Sequence, residues 1–134
     1  MIRDIKIPEV KNVTLAVARE KSITEKEPWK VYLINNNEFA IENTLVASKG
    51  YGEKDGKPQQ TTILRHFLET IDPKSATLIE PIDPALFHLN NEYWVSYYIG
   101  SQIFDKRFVF VPDSIREEHL SFIKELEMEG VLHS

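Results

Sequence analysis

Residues 93–111 read YWVSYYIGSQIFDKRFVFV and carry the strongest structural signal in the sequence. Two aromatic-rich runs flank Gly100 and Ser101, and a glycine at the first position of a two-residue loop is typical of a type II′ hairpin turn. Because side chains alternate between the two faces of a strand, the second run places four of them on one face, namely Phe104, Lys106, Phe108 and Phe110. The stretch therefore predicts an antiparallel β-hairpin with one aromatic face.

Short apolar runs with similar alternation precede this hairpin and are separated by Asn, Asp, Gly and Pro residues. They cover residues 12–21, 29–34, 41–48, 61–68 and 75–80. The glycine-rich stretch 50–58 has the wrong glycine spacing for a phosphate-binding loop, and we expect a hairpin loop there. About seven strands at this spacing favour an immunoglobulin-like antiparallel β-sandwich over alternating βαβ units.

The C-terminal segment carries a helical pattern instead. Ser114 followed three residues later by Glu117 is a capping box, and Gly130 is a candidate C-cap. Apolar or aromatic side chains recur at helical spacing at Ile115, His119, Phe122 and Leu126. We therefore expect an α-helix over about 114–129 that covers an open end or edge of the sandwich.

Length and composition predict one globular domain over residues 1–134, since the chain is 42% hydrophobic and 28% charged. It has no cysteine, which excludes disulfides and cysteine-ligated metal sites. The N-terminal MIRDIKIPEV lacks the apolar core of a secretory signal, and no segment approaches the roughly 20 apolar residues of a membrane span. We therefore expect a cytoplasmic protein that does not bind membranes.

The charge distribution argues against nucleic acid as a partner. The chain has 16 Lys and Arg against 21 Asp and Glu, a net charge of −5. Residues 75–105 contain no Lys or Arg, and this is also the most aromatic stretch of the chain. Because nucleic-acid binding depends on basic residues that neutralise phosphates, such a face would repel a phosphate backbone.

No catalytic or metal-binding motif is present in the sequence. The four histidines lie far apart at positions 66, 88, 119 and 133, and none forms a metal-binding pair at helical spacing. A strained serine elbow of the G-x-S-x-G type is also lacking. We assign no catalytic residue, metal ligand or cofactor, and favour a non-enzymatic protein while leaving enzymatic activity open.

Arg65 and His66 form a basic pair within an otherwise apolar run and would point to opposite faces of a strand. We expect Arg65 to pair with a carboxylate such as Glu42 or Asp105, in preference to a ligand-binding role. If Trp94 and Tyr98 lie on an outer sheet face, that face is a candidate contact surface for a protein partner. The candidate interaction residues are Tyr51, Arg65, His66, Trp94, Tyr98 and Lys106.

Two other functions stay open at this point. The first is a tRNA-related or small-molecule role through a basic patch near the loop at 50–57, made of Lys49, Lys54, Lys57 and Arg65. The second is a structural homo-oligomer that uses the edge strand after Gly100 and Ser101.

Several short motifs also resemble a known family. They are IPEV at 7–10, VYLIN at 31–35, SKGYG at 48–52, LRH at 64–66, NEYW at 91–94 and DKRFVF at 105–110. Together they resemble a family of small uncharacterised bacterial proteins, over nearly the whole chain. Some members are labelled phenylalanyl-tRNA synthetase alpha subunit, although this chain is too short for a class II catalytic domain. The resemblance implies a shared fold and no particular activity or site residue.

Overall fold

The computed structural model describes residues 8–21, 24 and 26–134, which fold mainly into β-strands. These residues form ten strands and two 3₁₀ helices of one turn each, Pro84–Leu86 and Glu117–His119. The strands are β1 (Val13–Arg19), β2 (Trp29–Asn35), β3 (Ile41–Lys54), β4 (Lys57–Gln60), β5 (Leu64–Ile71), β6 (Ser75–Pro81), β7 (Asn90–Ile99), β8 (Gln102–Phe110), β9 (Ser121–Ile123) and β10 (Met128–His133).

The described strands make two antiparallel sheets, as the alternation in the sequence predicts. The first sheet has the order β6-β2-β1-β10-β9, and the second has the order β4-β3-β7-β8 with β5 also paired to β3. The long strand β3 has two partners on the same side, because its first part pairs with β5 and its last four residues pair with β4. In these residues, no helix has the length and apolar character that crossing a membrane requires.

Two tight hairpins confirm the turn predictions in the second sheet. Strands β7 and β8 meet in register at Ile99 and Gln102, around Gly100 with a φ of 61°. Asp55 and Gly56, with φ values of 53° and 76°, join β3 to β4. A positive φ at both central residues matches the right-handed twist of the flanking strands, which is why Asp-Gly suits this turn.

The largest cluster of buried apolar side chains takes residues from both sheets. The first sheet contributes Val13, Leu15, Val17, Val31 and Leu33, and the second contributes Val46, Tyr93, Val95, Tyr97, Phe108 and Phe110. The predicted aromatic face of β8 is thus confirmed, since Phe108 and Phe110 are buried and Phe104 stacks on Tyr97 at 5.3 Å between ring centroids. Alternation along β7 and β8 therefore leaves a second face that points away from this core.

The predicted α-helix over 114–129 is wrong. Those residues form the one-turn helix Glu117–His119, strand β9 and the start of β10. Strand β1 needs a partner on its side away from β2, and β10 supplies one in register from Leu15 opposite His133 to Arg19 opposite Glu129. A helix at this position would leave the backbone N–H and C=O groups of that edge without strand partners, so sheet pairing overrides the helical spacing.

Candidate functional site

The outer face of the second sheet is the side of strands β3, β5, β7 and β8 that points away from the core. Because alternate residues of β7 turn inward at Tyr93 and Val95, Trp94 between them turns outward and is 46% exposed. Trp94 lies opposite Ala47 of β3 and Arg107 of β8. Half-exposed apolar side chains on the same face are Leu45, Ile63, Phe67 and Ile103.

A charged network borders Trp94 on this outer face. The Glu92 side chain is only 9% exposed, and its carboxylate lies 3.3 Å from Arg107 Nη1 and 3.7 Å from Lys49 Nζ. The Tyr51 hydroxyl donates to the same carboxylate at 3.4 Å. Two cations therefore compensate the charge of the nearly buried Glu92. Charged side chains of both signs thus surround Trp94 on this face.

The structure brings four of the six candidate interaction residues onto this outer face, namely Tyr51, Arg65, Trp94 and Tyr98. Arg65 lies opposite Ala47, in the same row as Trp94. In the described part of the chain Arg65 has no ion pair with Glu42 or Asp105, so the expected pairing does not form. Arg65 is instead exposed, and it lines the same shallow depression as Trp94.

The other two candidates, His66 and Lys106, lie on the inner side of the second sheet. Lys106 Nζ is 4.9 Å from the centre of the Phe108 ring, on the partly open flank of edge strand β8. His66 Nε2 is 2.6 Å from Glu80 Oε1, in a contact between β5 and β6. Arg65 and His66 thus point to opposite faces, as predicted, and His66 belongs to a second polar cluster.

This second cluster is centred on Glu80, whose side chain is 12% exposed. Besides His66, Ser48 donates to Glu80 Oε1 at 2.8 Å and Tyr93 donates to Oε2 at 3.3 Å. Burial, and then the charge of Glu80, raise the pKa of the Tyr93 phenol well above its ordinary value. The phenol therefore stays a proton donor to the carboxylate.

The order of these groups differs from that of a serine hydrolase. In a nucleophilic triad the histidine lies between the serine and the acid, so that it can take the serine proton. Here the carboxylate of Glu80 lies between Ser48 and His66 and contacts both. The cluster is suited to hold a carboxylate in a fixed position, and it does not activate Ser48.

Glu80 borders a cavity of about 480 Å³ at the flank where β5 and β6 meet. Its apolar lining includes Leu64, Ile82 and Leu86, and its polar lining includes Asp83 and Asn91. This cavity could not be predicted from the sequence, because the polar residues of the cluster beside it come from four separate strands with no fixed spacing, namely Ser48, His66, Glu80 and Tyr93. A volume of this size is typical of small-molecule sites.

The four basic residues of the nucleic-acid alternative are divided, because Lys49 and Arg65 belong to the outer face and the other two lie at a hairpin. Lys54 and Lys57 are exposed at the β3–β4 hairpin, whereas Lys49 is paired with Glu92. Strand β8 is an end strand of the second sheet in the described residues and carries Asp105, Lys106 and Arg107 at its middle. Charges at such positions discourage pairing with another strand.

A scan against protein-family models, a search of curated proteins and a search of solved structures each find no match for this chain. The resemblance to a family of small bacterial proteins is not tested by these comparisons and stays a prediction.

Proposed function

We propose that this chain is a non-enzymatic module that binds a protein partner through the outer face of the second sheet. The observation that carries the proposal is the exposure of Trp94, at 46%, among the half-exposed side chains Leu45 and Phe67. A contiguous apolar face with an aromatic centre has the composition of a protein interface. Tryptophan and arginine are also the residues that most often dominate binding energy at such interfaces.

The rim of this face supports a protein partner over a nucleic acid. Arg65 and Arg107 lie in the same row as Trp94, but the acidic residues Glu92 and Asp105 lie on the same face. A surface that binds a phosphate backbone would need an excess of cations, and the chain as a whole carries −5. Mixed charges around an apolar centre instead suit complementary pairing with another protein surface.

We further propose an immunoglobulin-like sandwich as the scaffold. Immunoglobulin domains place strands A, B and E side by side in one sheet and strands C, F and G in the other. The neighbours β1-β2-β6 and β3-β7-β8 follow the same relations in chain order. Strands β10 and β9 extend the first sheet beyond β1, which is an addition to that pattern.

The test is affinity capture from native cells that express the chain with an affinity tag. The unaltered chain is compared with the Trp94→Ala variant and with a matched control variant. Phe122→Ala is the control, because Phe122 is 66% exposed on β9 of the other sheet. We expect Trp94→Ala to reduce recovery of a specific partner about tenfold or more, as truncation of an aromatic hot spot does. Phe122→Ala should leave recovery unchanged, and circular dichroism should show both variants folded.

Recovery of the chain alone at low stringency would contradict the proposal, and so would undiminished capture by a folded Trp94→Ala variant. Binding to bulk tRNA that weakens steeply with salt would instead support the nucleic-acid alternative. Light scattering at high protein concentration tests the homo-oligomer, and cell fractionation tests the cytoplasmic location that we propose.

A further inference from the structure

The cavity beside Glu80 lies apart from the outer face and has features of a small-molecule site. It lies where the flank of the second sheet at β5 meets β6 of the first sheet, next to the short helix Pro84–Leu86. Its volume of about 480 Å³ is large enough for an organic molecule of moderate size. The walls supply both apolar area and fixed polar groups.

The carboxylate of Glu80 is held in place before any ligand arrives. Three side chains from three different strands contact it, at 2.8 Å from Ser48, 2.6 Å from His66 and 3.3 Å from Tyr93. Two of these three donors are neutral hydroxyl groups, which orient a carboxylate without cancelling its charge. Oε2 accepts only the longer bond from Tyr93, which leaves this oxygen able to accept a further donor.

Five charged residues line the cavity, and they favour a cation because the three carboxylates of Glu27, Glu80 and Asp83 outnumber the two lysines, Lys26 and Lys49. Asp83 uses Oδ1 to accept the Ala85 N–H at 2.9 Å. Within the described residues no lysine or arginine forms an ion pair with Glu80 or Asp83. Lys49 lines the cavity too, but its ammonium group is paired with Glu92 toward the outer face.

The remaining walls would contact an uncharged organic group. Leu64 is 50% exposed and Ile82 is 6% exposed, and both line the cavity together with Leu86 and three prolines. Burial of apolar ligand surface against such walls is favourable because it removes that surface from water. A carboxylate on one side and an aliphatic wall on the other match a compact amphipathic ligand.

We propose that this cavity binds a small organic ammonium ion, with the ammonium group hydrogen-bonded to Glu80 and the apolar body against Leu64 and Ile82. A charge-assisted hydrogen bond to a preorganised carboxylate is among the stronger polar contacts in proteins. The same chemistry is offered by a free alkyl or arylalkyl amine and by a lysine side chain. The site is independent of the outer face and of its protein partner.

The experiment titrates the ¹⁵N-labelled full chain, at constant ionic strength, with benzylamine, benzyl alcohol and sodium benzoate, and follows the backbone amide signals. We expect saturable shifts from benzylamine at Glu80, Asp83 and neighbouring residues. Benzyl alcohol should bind at least tenfold more weakly, and benzoate should give no saturable shift. Nα-acetyl-lysine amide is the fourth probe, and tighter binding of this probe than of benzylamine would identify a lysine side chain as the source.

Glu80→Gln removes the charge while it keeps the shape and the acceptor oxygen, and we expect it to weaken benzylamine binding at least tenfold. Glu53→Gln at the exposed β3–β4 hairpin makes the same change in total charge and should have no effect. If Glu80→Gln does not fold, Leu64→Arg places a cation at the half-exposed wall and should cause the same loss. Trp94→Ala should leave amine binding unchanged, so this proposal and the protein-binding proposal can fail separately.

Three outcomes would overturn the proposal. The first is the absence of a saturable shift with either amine. The second is equal affinity for benzylamine and benzyl alcohol. The third is a folded Glu80→Gln or Leu64→Arg variant that binds benzylamine as tightly as the unaltered chain.

Discussion

Gly130 of β10 packs directly against Val17 of β1, so that a Cβ atom on Gly130 would stand 2.5 Å from the Val17 carbonyl oxygen. The same atom would lie 2.9 Å from Ala18 Cα and 2.8 Å from Ile123 Cδ1. Since two of these atoms are backbone, they cannot move without opening the β1–β10 pairing. The glycine is therefore required by the close approach of two strands.

Gly130→Ala should lower the free energy of unfolding by about 3 kcal/mol, the upper part of the usual range for overpacking a buried site. Urea denaturation followed by circular dichroism measures this change. The control is Ser121→Ala, because Ser121 is the β9 residue opposite Gly130 and is exposed. Equal stability of Gly130→Ala and Ser121→Ala would show that β10 does not pack against β1 in this way.

Asn35 at the end of β2 is fully buried and joins three segments of backbone. Its Nδ2 donates to the carbonyl oxygens of Phe39, Ile71 and Asp72 at 3.0 to 3.2 Å, and its Oδ1 accepts from Asn37. Asn35→Ala leaves buried polar groups without partners and should cost about 2 to 4 kcal/mol. Its sequence neighbour is the control: Asn36 makes an exposed bond to Glu125, so Asn36→Ala should cost less than about 1 kcal/mol. A thermal denaturation series that ranks the two variants equally would contradict this assignment.

The hydroxyl group of Tyr97 is buried and has no hydrogen-bond partner among the described residues. Tyr97→Phe should therefore keep or raise stability at neutral pH, by up to about 1 kcal/mol. Tyr93→Phe loses the bond to Glu80 and should destabilise the chain by about 1 kcal/mol. Thermal denaturation at pH 7 compares the two variants, and a larger loss for Tyr97→Phe would contradict the prediction.

Burial also makes Tyr97 sensitive to alkaline conditions, because it raises the pKa of Tyr97 to about 12. An exposed tyrosine in the unfolded chain titrates near 10, so the native state holds this proton more tightly. The contribution to stability is complete below about pH 10 and is lost as the pH rises toward 12. Phenylalanine has no proton to lose, so Tyr97→Phe avoids this loss and should unfold at a higher pH than the unaltered chain when both are titrated with base. Identical alkaline midpoints would show that Tyr97 is not buried in the native state.

The two faces of the second sheet should respond differently to polar substitution. Leu45 and Phe67 are register partners on the outer face and are 50% and 57% exposed. Leu45→Ser and Phe67→Ser should each cost less than about 1 kcal/mol and should reduce binding of a hydrophobic dye. Phe104→Ser, on the inner face against Tyr97, should cost about 3 kcal/mol. Comparable losses of stability at the three positions would mean that the outer face is buried in the native state.

The features that could be predicted from the sequence depend on neighbours along the chain. The β7–β8 hairpin follows from Gly100 and the flanking aromatic residues, and the outward position of Trp94 follows from alternation. The strands and their two antiparallel sheets are predictable for the same reason. Each of these features needs only a few consecutive residues.

The features that could not be predicted depend on contacts between distant segments. Residues 114–129 have helical spacing, but Phe122 is 66% exposed in β9 and Glu127 has a φ of 52° in the turn before β10. Pairing with β1 decides their conformation, because tertiary contacts override weak local propensity. The Glu80 cluster could not be predicted for a related reason. His66 and Ser48 belong to one sheet and Glu80 to the other, so they come into contact only when the two sheets pack together.

The position of β1 between β2 and β10 has a consequence for synthesis of the chain. Its first partner follows it directly in sequence, while its second partner consists of residues 128–133 at the far end. On a translating ribosome β1 and β2 can form a hairpin early, but the opposite edge of β1 must wait until residues 128–133 have been synthesised. Completion of the first sheet is therefore a late step with high contact order, and the unpaired edge of β1 is exposed to aggregation until then.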